Sequence, residues 1–147
     1  MRKAIMKISA RNAFAGTVER LHMGAVNAEV TVAIAGGGRI TAIVTKDSAE
    51  ALGLAPGRAV TAIVKASSVL VMVDGGGMRL SARNQLAGTV QGIVDGAVHA
   101  EVAIALPGGA VVQAVITRES VAALGLKPGV PATAVIKASS VILAVAA

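Results

Sequence analysis

Cysteine, tryptophan and tyrosine are absent from the 147-residue sequence, and Phe14 is its single aromatic residue. Without thiols there is no disulfide, no thiolate metal site and no cysteine nucleophile. Without aromatics the chain lacks the stacking platforms that hold single-stranded nucleic acid against a sheet. No apolar run reaches the roughly 18 residues that a membrane-crossing helix needs, so no membrane partner is expected. The longest uncharged stretch, Val102 to Thr117, is interrupted by Pro107-Gly108-Gly109 and contains Gln113, and it reads as two strands and a turn. The start, Met1 to Lys7, is basic but carries neither the apolar core nor the cleavage site of an export signal, which makes a cytoplasmic location the expectation.

What is abundant is small and apolar. The hydrophobic fraction is 54%, the mean hydropathy is +0.73 and 17 residues are glycine. Small side chains suit close backbone packing. The net charge of +6 and a pI near 10.6 favour anionic partners: nucleic acid, acidic lipid or small oxyanions.

The chain is one unit written twice. Aligning Ser9-Ala10-Arg11-Asn12 with Ser81-Ala82-Arg83-Asn84 sets an offset of 72 residues that holds without a gap. Gly24-Ala25-Val26 then meets Gly96-Ala97-Val98, Leu52-Gly53-Leu54 meets Leu124-Gly125-Leu126, and Lys65-Ala66-Ser67-Ser68 meets Lys137-Ala138-Ser139-Ser140. About half of the paired positions are identical, far above chance for unrelated segments. The units run from 6 to 73 and from 78 to 145, with Asp74-Gly75-Gly76-Gly77 as a linker too short to let them drift apart. A domain of roughly 70 residues buries only about 60% of its unfolded surface, so two such units are expected to lean on each other or on further copies.

Within a unit the pattern is mostly strand. Alternation from Val26 to Ile34 puts Val26, Ala28, Val30, Val32 and Ile34 on one face. Gly36-Gly37-Gly38 turns the chain into a partner strand, Arg39 to Val44. Gly16 to Leu21, Ala59 to Val64 and Val69 to Val73 read as further strands. A single helix, Thr45 to Gly53, starts on capping residues and stops at glycine, and the second unit repeats it from Thr117 to Gly125. The expected fold is all-β: two tandem OB-type small β-barrel domains, each with one short helix.

Function is sought among the polar residues that survive duplication. His22 pairs with Val94 and His99 with Asn27, so neither histidine recurs and no Ser/His/Asp set is built twice. Glu29 and Glu101 recur singly, without the second carboxylate that acid/base catalysis needs. The glycine runs lack the Lys-Ser/Thr ending of a phosphate-cradling loop. An enzyme is therefore not expected, nor an organic cofactor, nor a metal held by direct cation coordination. What recurs is a set of donors: Ser9, Arg11 and Asn12, Thr45 and Ser48 at the helix start, and Lys65 with Ser67 and Ser68. Arginine offers a planar fork, lysine a compact charge, hydroxyls adjustable donors and a helix start free N–H groups, which together suit an oxyanion. Taken singly, Thr45 and Thr117 are equally well explained as helix caps, and Arg11 and Arg83 as solvated charges. Asp47 and Glu119, beside the helix starts, repel an anion unless they point away.

These motifs together, Ser-Ala-Arg-Asn, Gly-Ala-Val-Asn-Ala-Glu-Val, Thr-Lys-Asp-Ser and Lys-Ala-Ser-Ser-Val, resemble the Mop-like domain of molbindins. The tandem form resembles the di-domain molbindins, cytoplasmic molybdate-binding proteins. The resemblance spans essentially the whole chain. It implies molybdate or tungstate as ligand, held between domains, in a homotrimer equivalent to six single domains. Carried onto this sequence, one oxyanion-binding set is Ser9, Ala10, Arg11, Lys65, Ala66 and Ser67, with Thr45 and Ser48 supplied by a neighbouring domain. The other is Ser81, Ala82, Arg83, Lys137, Ala138 and Ser139, with Thr117 and Ser120. The alanines contribute backbone N–H groups. Asn12 and Asn84 match the motif in a packing or supporting role. The resemblance implies storage, buffering or homeostasis of the oxyanion, without chemistry and without nucleic acid. The alternative class is an OB-type single-stranded nucleic-acid-binding module, favoured by the charge and opposed by the missing aromatics.

Overall fold

A computed structural model describes residues 6–147. Residues 1–5, part of the basic opening considered above for an export signal, lie outside the described residues. No described helix is long and apolar enough to cross a membrane.

Each repeat contributes four strands, a helix and a short fifth strand. In the first these are β1 (Asn12–Met23), β2 (Asn27–Ile34), β3 (Arg39–Thr45), α1 (Lys46–Ala51), β4 (Ala59–Val64) and β5 (Leu70–Met72). The second follows with β6 (Asn84–Asp95), β7 (His99–Ala105), β8 (Val111–Thr117), α2 (Arg118–Leu124), β9 (Pro131–Ile136) and β10 (Ile142–Ala144). A 3-10 turn, Ala66–Ser68 or Ala138–Ser140, precedes each fifth strand.

The strands form two antiparallel five-stranded sheets, ordered β10-β4-β1-β2-β3 and β5-β9-β6-β7-β8. The fifth strands are exchanged: Leu70–Met72 of the first repeat pairs with Thr133–Val135 of the second, and Ile142–Ala144 pairs with Thr61–Ile63. Each barrel therefore contains a strand from the other half. Within a sheet the outermost strands approach each other, β10 towards β3 and β5 towards β8, which curls the sheet into a small barrel.

Alternation explains the core. Ala28, Val30, Val32 and Ile34 point inward from β2, as do Ala100, Val102 and Ile104 from β7, and all are buried. Burying a valine or isoleucine side chain contributes about 1.5–3 kcal/mol, so these rows supply much of the driving force. Val26, expected on the same face, lies before β2 and is 73% exposed. β1 is longer than the segment expected from Gly16 to Leu21. It is bent by a bulge between Val18 and Arg20, repeated between Val90 and Gly92, within the expected segment, and it extends that segment by Asn12 to Ala15 and His22 to Met23. Gly16 and Gly88 let β1 and β6 run close to the next strand, where a Cβ would overlap the carbonyl oxygen of Ala33 or Ala105.

The halves also meet at their hairpin tips. A Cβ on Gly108, in the β7–β8 turn, would overlap the backbone of Gly36 in the β2–β3 turn. The helices start where expected, with Thr45 and Thr117 as extended N-cap residues. They end on Leu52 in one repeat and on Gly125, left-handed at φ 63°, in the other.

Candidate functional site

Strand exchange places the end of each repeat beside the other. The Ala66–Ser68 turn packs on β8, and Ala138–Ser140 packs on β3. A cavity at the first of these junctions is lined by Ile8, Ser9, Ala10, Arg11, Ile63, Lys65, Ala66, Ser67, Val115 and Ile142. It thus brings together the Ser-Ala-Arg and Lys-Ala-Ser segments of the first repeat, with Val115 and Ile142 coming from the second. Ser9, Arg11, Lys65 and Ser67 are exposed, whereas Ala66 is buried. The second-repeat residues follow the same pattern: Ser81, Arg83, Lys137 and Ser139 are exposed and Ala138 is buried.

The helix-start hydroxyls do not line this cavity. Thr45 Oγ1 accepts from the Ser48 backbone N–H at 3.0 Å and donates to Ser48 Oγ at 2.8 Å. Thr117 and Ser120 repeat this at 3.1 and 2.8 Å. Within one chain these residues act as helix caps, the more modest of the two roles considered from the sequence. Asp47 and Glu119 stand exposed in the first helical turns. Across the strand ladders Asn27 lies opposite Thr45, and His99 lies opposite Thr117.

Asn12 and Asn84 are the buried polar residues of the described chain, 1% and 2% exposed. Each side chain bonds the backbone of an outer strand of the opposite barrel. Asn12 Nδ2 donates to the Gln113 carbonyl at 2.8 Å and its Oδ1 accepts from the Gln113 N–H at 2.7 Å. Asn84 does the same to Thr41, at 2.8 and 2.7 Å. One amide thus stands in for a strand neighbour, satisfying a donor and an acceptor that the sheet edge leaves unpaired. Among the described residues no buried side-chain polar atom lacks a partner.

The arginines, too, reach across. Arg11 Nη1 donates to Glu101 Oε1 at 3.2 Å. Arg83 grips Glu29 with both ends of its fork, Nη1 donating to Oε2 at 2.9 Å and Nη2 to Oε1. The Arg83 fork holds the Glu29 carboxyl below the usual carboxylate range, helped by the charges of His22 and Arg20. Glu29 in turn raises Arg83. From the sequence each glutamate reads as a lone strand-face charge, and the pairing with arginine is not foreseen. The available signal was that Arg and Glu recur together at the same offset. A further pair, Arg39 Nε to Glu19 Oε2 at 2.6 Å, has no counterpart in the second repeat, where Val111 and Gln91 stand. Among the described residues no cluster of three or more His, Asp or Glu is arranged to hold a metal ion.

The resulting hollow sets the Ser9, Arg11, Lys65 and Ser67 side chains beside a largely apolar lining of Ile8, Ile63, Val115 and Ile142. Comparison with known proteins agrees in fold and in sequence. The model of the TOBE domain matches residues 8–71 and 80–143. The chain is 49% identical over 139 residues to the molybdenum-pterin-binding protein MopA of Rhodobacter capsulatus, covering 95% of this chain and 52% of that protein. It is 50% identical over 145 residues to the molybdenum transport protein ModE of Azotobacter vinelandii, covering 99% of this chain and 53% of ModE. The chain therefore spans about half the length of these curated relatives. A crystal structure of the cytoplasmic molybdate-binding protein ModG, with molybdate bound, superposes with a TM-score of 0.93 at 58% identity, covering 96% of this chain and all of ModG. With two TOBE domains in one chain and tandem relatives matched along nearly its whole length, the protein belongs to the di-domain molbindin family.

Proposed function

We propose that the protein binds molybdate, and tungstate as well, reversibly and without chemistry, as a cytoplasmic store or buffer of the oxyanion. The observation that carries this reading is the shared cavity of Ser9, Ala10, Arg11, Lys65, Ala66 and Ser67, which gathers donors from the two ends of one repeat against the opposite repeat. The molybdate bound to ModG, a chain of the same fold, supports the choice of ligand. In this reading Arg11 and Lys65 supply charge, Ser9 and Ser67 supply hydroxyls, and Ala10 and Ala66 supply backbone N–H groups. Ser81, Ala82, Arg83, Lys137, Ala138 and Ser139 form the second set. Thr45, Ser48, Thr117 and Ser120 complete the sites from neighbouring copies in a homotrimer, exchanging their mutual hydroxyl bonds for bonds to the anion.

Equilibrium dialysis followed by elemental analysis tests the reading. At saturating micromolar molybdate at least one oxyanion per chain is expected, and less than one contradicts it. Arg11→Ala combined with Arg83→Ala removes most of the binding while the protein stays folded. Unchanged affinity in that variant would take both arginines out of the site. The nucleic-acid alternative predicts a gel shift of single-stranded oligonucleotides that weakens steeply with salt, whereas the oxyanion reading predicts none.

A further inference from the structure

The two site arginines are held unequally, and the inequality lies in their carboxylate partners. Arg83 meets Glu29 at two points, with Nη1–Oε2 at 2.9 Å and Nη2–Oε1 as the second contact. Arg11 meets Glu101 at one, through Nη1 at 3.2 Å. Burial does not separate the pairs in one direction: Glu29 at 34% is more exposed than Glu101 at 25%, whereas Arg83 at 49% is less exposed than Arg11 at 61%.

The surroundings do differ. In the β1–β2 ladder Glu29 lies opposite His22, and Arg20 lies two residues along the same strand. In the β6–β7 ladder Glu101 lies opposite Val94, and the position of Arg20 is Gly92. On their other flanks Glu29 faces Ile43 and Glu101 faces Val115. Glu29 is thus flanked by a basic residue on its own sheet where Glu101 is flanked by valine.

A guanidinium fork closed on a carboxylate has spent the paired N–H geometry that also fits a tetrahedral oxyanion. We propose that Glu29 and Glu101 are built-in competitors for the arginines, and that the two-point hold on Arg83 makes the Arg83–Lys137 site the weaker of the two. The inference rests on the oxyanion reading above. In it the glutamates are positioning residues: they park the forks across the junction between halves, and the anion displaces them. Because the charges of Arg83, His22 and Arg20 keep Glu29 ionised, its competition persists below the pH at which an ordinary glutamate would be neutral.

Calorimetric titration of the full chain with molybdate is expected to resolve a tighter and a weaker class of junction site. Glu29→Gln removes the charged competitor while keeping its shape, and tightens the weaker class on the order of fivefold. The tighter class stays as it was, and Arg83→Ala added to Glu29→Gln abolishes the gain. Molybdate binding that is unchanged or weakened by Glu29→Gln, in a protein folded like the parent, overturns the competitor role and leaves the oxyanion function standing. No molybdate binding by the parent protein overturns the function, and this inference with it. A carbon-13 titration of the Glu29 carboxyl gives a ligand-free readout. It is expected below the usual carboxylate range and to rise towards that range in Arg83→Ala, and a Glu29 carboxyl that Arg83→Ala does not move overturns the hold on which the inference depends.

Discussion

Replacing Asn12 by alanine tests most directly how the two halves are joined. The side chain is 1% exposed and makes two hydrogen bonds, at 2.8 and 2.7 Å, to the carbonyl and N–H of Gln113 in the opposite repeat. Alanine removes both bonds, each contributing about 1 kcal/mol net, and leaves the Gln113 N–H and carbonyl without partners in a partly buried place. Adding a share of that desolvation cost, the expected loss is about 2–4 kcal/mol. For a chain of this size it lowers Tm by roughly 5–15 °C. Asn84→Ala, acting on Thr41 by the same geometry, should match it. Asn12→Asp is a sharper probe: it keeps the acceptor for the Gln113 N–H but sets a second oxygen against the Gln113 carbonyl. It should therefore be at least as damaging as alanine at neutral pH, and should recover in acid, where a protonated carboxyl donates again. Urea unfolding monitored by far-ultraviolet circular dichroism measures all three. A loss below about 0.5 kcal/mol for both alanine variants would refute the claim that these amides act as strand neighbours across the junction.

Other outcomes follow from the same structure. Gly108→Ala forces a Cβ against the backbone of Gly36 and should cost about 1–3 kcal/mol in urea unfolding; a variant as stable as the parent would show that the hairpin tips yield freely. A fragment ending in the linker after the first repeat carries a fifth strand that pairs with the other half, so sedimentation equilibrium should find it as a strand-exchanged dimer rather than a folded monomer. Because Glu29 is held below its ordinary value of 4.5, the stability it contributes is present above that pH and lost as pH falls through the lower folded value. Glu29→Gln should accordingly flatten the fall in stability in that acidic window, and an unaltered pH profile would count against the Arg83 pairing.

Much of the architecture can be read from the chain because the repeat is ungapped and its strands alternate. Ala28, Val30, Val32 and Ile34 declare an inward face, and Thr45 and Thr117 declare helix starts; both are where the pattern puts them. Strand exchange is not readable in the same way. Leu70-Val71-Met72 has the composition of a strand whichever barrel it completes, since periodicity reports a buried face and says nothing of the neighbour. The start of β1 is hidden because its inward row opens on a buried polar residue, Asn12, so Asn12 to Ala15 does not read as an apolar alternation. Recurrence singles out Asn12 and Arg11, but it does not reveal what holds them. For Asn12 that is the Gln113 backbone 101 residues away, and for Arg11 it includes Glu101, 90 residues away. Contacts at such separations leave no local pattern. The helix-start hydroxyls are an intermediate case, because a cap and an anion donor require the same residue types at the same spacing.

The proposed oxyanion lies at the junction of the halves, among the Ser-Ala-Arg and Lys-Ala-Ser segments. A crystal of the protein grown with molybdate, with anomalous diffraction recorded at the molybdenum absorption edge, tests that placement directly. Peaks are expected within hydrogen-bonding distance of Ser9 to Arg11 and Lys65 to Ser67, and of their counterparts Ser81 to Arg83 and Lys137 to Ser139. Molybdenum bound elsewhere, with both junctions empty, would contradict that placement.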